Sequence, residues 1–123
     1  MIEIKIRSHK ENILSFKISN HALRDRDAIL AGEAYDMVCN TVSVLSQSVI
    51  IGLDEVLKLN CNYEMMDGYL ALDLTGFTQE EISKAQVLLK TFKLSLDSAI
   101  ISLDESFGKK KREEYIILKT EEV

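Results

Sequence analysis

The chain has 123 residues, a net charge of −5 and 46% apolar residues. A chain of this size buries roughly 65–70% of its unfolded surface, so residues 1–123 are expected to fold as one domain without a covalent staple. The acidic balance argues against a general nucleic-acid binder, so no direct nucleic-acid contact is expected, while a basic partner is permitted.

Two cysteines, Cys39 and Cys61, are too few for a disulfide framework. The N-terminus alternates apolar and charged residues and lacks the unbroken apolar core of a signal peptide. The longest uncharged run, Met37–Leu53, carries Asn40, Thr41, Ser43, Ser46, Gln47 and Ser48. It falls short of the roughly 20 mostly apolar residues of a membrane span. The expectation is a soluble, cytoplasmic protein with reduced thiols and no membrane partner.

Ile2, Ile4 and Ile6 alternate with Glu3, Lys5 and Arg7, and Leu14, Phe16 and Ile18 alternate with Ser15, Lys17 and Ser19. A period of two predicts two half-buried strands, joined by the polar segment 8–12 as a hairpin. Residues 20–35 lose all periodicity and read as a mobile loop. Residues 37–58 read as a helix, with Val38, Val42, Leu45, Val49 and Val56 on one stripe and Leu53 beside it. Asp36 is a candidate N-cap. Met37, Val44 and Ile51 form a second apolar set on another face, which predicts burial on both sides, by the fold or by a partner chain.

Cys61–Met66 and Tyr69–Leu74 flank Asp67-Gly68, a strong signal for a hairpin turn. Thr78 and Glu81 have capping-box spacing. Behind them Ile82, Ala85, Leu89, Phe92, Leu96, Ala99 and Leu103 predict a long amphipathic helix over residues 79–106, ended by Gly108. Lys109–Arg112 form a basic turn, read as solvated. Tyr115, Ile116, Ile117 and Leu118 predict a last short strand. The order is ββαββαβ, an α+β fold with one small mixed sheet and two helices.

His21 follows directly on the second strand, and Cys39 falls in the first turn of the first helix. A cysteine there gains thiolate character from the helix dipole, and first-turn amides can stabilise an oxyanion. A histidine within reach would complete a thiolate–imidazolium pair. The bland alternative is that Cys39 is a small buried hydrophobe. Cys61 reads as a packing residue and His9 as solvated. No ligand spacing supports a metal site, and no Gly-rich phosphate loop is present.

Asn20-His21-Ala22, a loop with Gly32, Asp36-Met37-Val38-Cys39 and Val42-Ser43 together resemble the ribosomal-processing cysteine proteases. That bacterial family typically shows G-H-A, a short loop with glycine, D-x-V-C and then A-x-V-S along a helix. Asn20 stands where the family usually has glycine, Asn40-Thr41 replaces a small pair, and the loop is several residues longer. The resemblance implies a cytoplasmic endopeptidase that removes an N-terminal extension from a large-subunit ribosomal protein. It also implies a homodimer without cofactor or metal. Carried over, Cys39 is the nucleophile, His21 the general base and later the acid, and Asp36 and Ser43 match supporting positions. The rival readings are a non-catalytic dimeric module that binds a ribosomal protein and a Cys-dependent acyl transferase. Intact Cys39, His21, Asp36 and Ser43 favour an enzyme over a binding relic.

Overall fold

The computed structural model describes residues 1–20, 33–66 and 68–123, with the side chains of 33–36 outside the description. Two strands, β1 (Ile2–His9) and β2 (Asn12–Ser19), precede a helix, α1 (Glu33–Ile51). A π-helical turn, Gly52–Val56, extends that helix. A second hairpin, β3 (Asn62–Met66) and β4 (Tyr69–Asp73), leads to the long helix α2 (Gln79–Phe107). A single helical turn, α3 (Lys109–Arg112), and the strand β5 (Ile116–Glu122) complete the chain. The sheet order is β3-β4-β2-β1-β5, and among the described residues only the β1–β5 pair is parallel. The expected α+β architecture, with one mixed sheet and two principal helices, is therefore present.

The period of two in the strands decides which face is covered. Ile2, Ile4, Ile6, Phe16, Ile18, Leu70, Leu72 and Ile116 are buried and meet Val38, Val42, Leu53, Ala85, Leu89, Phe92 and Leu96 from the helices. The opposite face carries Lys5, Arg7, Lys17 and Asp73, and it remains open. The Phe16 and Phe92 rings meet at a tilt of 44° with centroids 4.7 Å apart, which pins α2 over β2.

The first hairpin is tighter than its polar segment suggests. Lys10 and Glu11 form a two-residue connection with φ of 48° and 72°, the backbone sense that matches strand twist. The register slips between Arg7 and Ser8, so Ser8 faces Ile13 while Arg7 faces Ser15. Leu14 is the extra residue of this bulge, and Ile13 takes the core position that alternation assigns to Leu14. Gln86 of α2 clamps the bulge: its Oε1 accepts the Ile13 N–H at 2.7 Å and its Nε2 donates to the Ile13 carbonyl at 2.9 Å.

The first helix departs from its predicted span at both ends. It starts at Glu33, so residues 33–35 are helical rather than part of a loop. The rest of the predicted loop, residues 21–32, lies outside the described residues. At the other end the π turn inserts one residue per turn, with Leu57 N–H donating to the Gly52 carbonyl at 2.9 Å. That shift of phase rotates Val56 out to 73% exposure instead of continuing the buried stripe. Gly52 marks a close helix–helix approach: a Cβ there would sit 2.7 Å from Leu88 Cδ1.

The second helix starts where predicted and runs one residue further, to Phe107. Thr78 and Glu81 close a reciprocal capping box, and Gly108 at φ 84° terminates the helix. Arg112 corrects the reading of a solvated basic turn. It is buried, with Nε donating to Asp104 Oδ1 at 2.8 Å and a guanidinium N–H to the Ile116 carbonyl at 3.2 Å. The last strand runs to Glu122, beyond the expected four residues, because β1 offers it a parallel partner over its whole length.

The segment Met37–Val56 is long and apolar enough to cross a membrane by length and composition, contrary to the sequence expectation. In this fold its Val38, Val42, Val49 and Leu53 pack into the core.

Candidate active site

Topology brings the relevant chain segments to one end of the sheet. Ser19 closes β2 opposite Tyr69, the first residue of β4. α2 starts after the far end of β4 and runs back past Phe16. α1 lies antiparallel to α2, with Asn40 and Thr41 sharing a groove with Ser98 and Ala99, and Gly52 against Leu88. α1 therefore begins at the end where β2 finishes.

Cys39 is the seventh residue of α1 and is half-buried at the edge of the core. This corrects its expected place in the first turn. The dipole effect fades within one turn, so it contributes little to a thiolate at Cys39. The amide of a seventh helical residue bonds the carbonyl four residues back, so it is not a free oxyanion donor. Asp36 is already helical, which removes it from the N-cap position.

The helical spacing offers a different arrangement. At 100° per residue, positions 36, 39 and 43 fall within about 60° of one another, on one stripe of α1. The backbone thus groups positions 36, 39 and 43, with Cys39 between the other two along the helix axis. Ser43 is half-buried, and its Oγ accepts from Gln47 Nε2 at 2.8 Å. A hydroxyl that accepts one bond keeps its own proton to donate. Gln47 lies on the same stripe, and the sequence reading counts it only as a polar interruption of the uncharged run. Its signal was the spacing of four from Ser43.

His21 lies outside the described residues, but its neighbour does not. Asn20 has φ 66°, and its N–H donates to the Gly68 carbonyl at 2.8 Å. Left-handed backbone favours glycine, and asparagine is among the side chains that tolerate it best. Asparagine at this position therefore preserves the backbone geometry that a glycine would adopt.

Cys61 has a different chemistry. It is buried, and its N–H donates to Asp54 Oδ1 at 2.8 Å. Burial first, and then the Asp54 charge, push its thiol up to about 11. It is a protonated packing group at neutral pH. Cys39 and Cys61 are both thiols, not joined in a disulfide. His9 has a partner just past the terminal strand, the Val123 carbonyl. Among the described residues, no three His, Cys, Asp or Glu side chains gather as a metal site would require.

The fold matches solved structures over nearly the whole chain. The Streptococcus mutans protein SMU.848 superposes with a TM-score of 0.71 at 25% identity, covering 100% of this chain and 96% of that one. The Staphylococcus aureus ribosomal processing protease Prp, in complex with a substrate peptide, gives 0.68 at 17% identity, over 98% of this chain and 100% of that one. The same protease with a covalently linked product peptide gives 0.65 at 19% identity, with the same coverage. No curated protein matches the sequence. The sequence profile described as cysteine protease Prp matches residues 1–109, and the chain belongs to that family.

Proposed function

We propose that this chain is an active cysteine endopeptidase that removes a short N-terminal extension from a large-subunit ribosomal protein. The observation that carries this reading is Cys39 on the core-side edge of a polar stripe on α1, in a member of the cysteine protease Prp family. The similar fold of the Staphylococcus aureus protease, solved with substrate and product peptides, supports the substrate class.

In this reading His21 takes the Cys39 proton, and the thiolate attacks the carbonyl carbon of the scissile bond. His21 then gives that proton to the leaving amine, and water hydrolyses the thioester. With little help from the helix dipole, Cys39 depends on His21 for activation. Asp36 and Ser43 act in support: Asp36 as a carboxylate on the nucleophile's stripe, and Ser43 as a hydroxyl one turn away.

The same reading includes a homodimer in the cytoplasm. Met37, Val44 and Ile51 of α1 and Leu94 and Ile101 of α2 are exposed large apolar residues. Val44 and Leu94 line one groove between the two helices. A two-fold partner is the commonest cover for such a surface. A reducing compartment keeps Cys39 as a thiol. Incubation with the host's ribosomal protein, read by intact mass, tests the activity.

A further inference from the structure

The two edges of the sheet are guarded differently. β5 carries Lys119, Glu121 and Glu122, and Glu121 pairs with Arg7 at 3.1 Å and with Lys5 at 3.7 Å. Charge on an edge strand is a usual defence against pairing with another chain. β3, the other edge, has all five residues exposed, and Tyr63, Met65 and Met66 are 44%, 53% and 60% exposed. It contains no proline, no lysine and no bulge, and it pairs regularly with β4. Among the described residues, no strand covers its outer side. Its alternate N–H and C=O groups therefore point away from the sheet.

The edge also ends close to the proposed chemistry. Met66 pairs with Tyr69 and Tyr69 with Ser19, while Gly68 accepts the Asn20 N–H. Two strand spacings, about 10 Å, separate Met66 from the end of β2. A strand added outside β3 would lie about 14 Å from β2, a span that four or five extended residues bridge.

Register assigns the side chains of β3 to faces. Tyr63 and Met65 stand opposite the buried Leu72 and Leu70, on the helix side, and Glu64 stands opposite Ala71 on the open side. We propose that the outer edge of β3 is a docking strand for the substrate, which adds to the sheet as an extended sixth strand. Its apolar side chains at alternate positions lie against Tyr63 and Met65, and a basic side chain between them lies beside Glu64. Main-chain bonds give affinity in this mode, and alternate side-chain contacts give selectivity. The proposal rests on the peptidase reading and adds to it a subsite remote from the cut.

The test uses the full chain and a synthetic peptide spanning the N-terminal extension of the host's ribosomal protein. In Cys39→Ala, which retains the peptide uncut, hydrogen exchange at the amides of residues 62–66 should slow when the peptide is added. The double variant Tyr63→Lys with Met65→Lys should raise KM by about tenfold with kcat little changed. Unchanged exchange in β3 on peptide binding, or an unchanged KM in a folded double variant, overturns the proposal. So does conversion of a dimeric protein to monomer by the double variant, which would make this edge a seam between two copies. Failure of wild type to cut the peptide counts against the peptidase reading alone if β3 is still protected. Absence of both cutting and binding overturns both.

Discussion

Cys39 and Cys61 separate cleanly by environment. Burial and Asp54 hold Cys61 protonated, whereas Cys39 is only half-buried on a polar stripe. Cys39→Ala should therefore abolish cleavage, Cys39→Ser should be nearly as inactive, and Cys61→Ala should remain active in the intact-mass assay. In the proposed mechanism His21 is the general base, so His21→Ala should lower kcat by roughly 10²–10⁴-fold, read by single-turnover kinetics. The raised Cys61 thiol also has a consequence for stability. Between 9.0 and about 11 the folded state holds this proton more tightly than the unfolded state. Its contribution is complete below pH 9 and is lost as pH rises toward 11. Denaturant titrations across that window should show wild type losing more stability than Cys61→Ala. At this scale the sequence singles out His21, Cys39, Asp36 and Ser43 through short local words that resemble the family's, and the backbone of α1 puts three of these positions on one stripe. The geometry of Asn20 was not legible, because a positive φ is visible only in the backbone.

Gln86 shows what an element owes to a contact distant in sequence. It satisfies both main-chain groups of Ile13 at the bulge in β2. Gln86→Leu would leave a buried donor and a buried acceptor unpaired, and should cost about 2–4 kcal/mol in chemical denaturation. Thr78→Ala removes one half of the capping box of α2 and should cost about 1 kcal/mol in the same measurement. The capping box and the second hairpin were legible because their signals are local: Thr78 with Glu81, and Gly68 at φ 78° between two apolar runs. The bulge that swaps Leu14 for Ile13 was not, because pairing with β1 sets it. Nor was the π turn that exposes Val56, which arises where α1 meets Leu88 of α2 at Gly52. The early start of α1 was hidden because Glu33, Ala34 and Tyr35 carry no apolar period to announce a helix.

Over the whole molecule, the sequence order ββαββαβ was enough to indicate a mixed sheet with two helices on it. The placement of β5 beside β1 was not legible, since a parallel pair needs only a long crossover, which α2 provides, and several edges could accept it. The exposed Met37, Val44 and Ile51 agree with the second apolar face read from the helix spacing. If a second copy covers that face, Val44→Asp places a charge in an apolar contact and weakens the dimer. Sedimentation equilibrium should then show wild type as a dimer at micromolar concentration and the variant partly dissociated, with activity falling on dilution. The central claim, that this chain cuts a ribosomal protein through Cys39, is tested most directly by intact-mass analysis of the host's extended ribosomal protein after incubation with the wild type and with Cys39→Ala. The account predicts loss of the N-terminal extension with the wild type and an unchanged mass with the variant. An uncut protein in the presence of folded wild type, or the same product from Cys39→Ala, would contradict it.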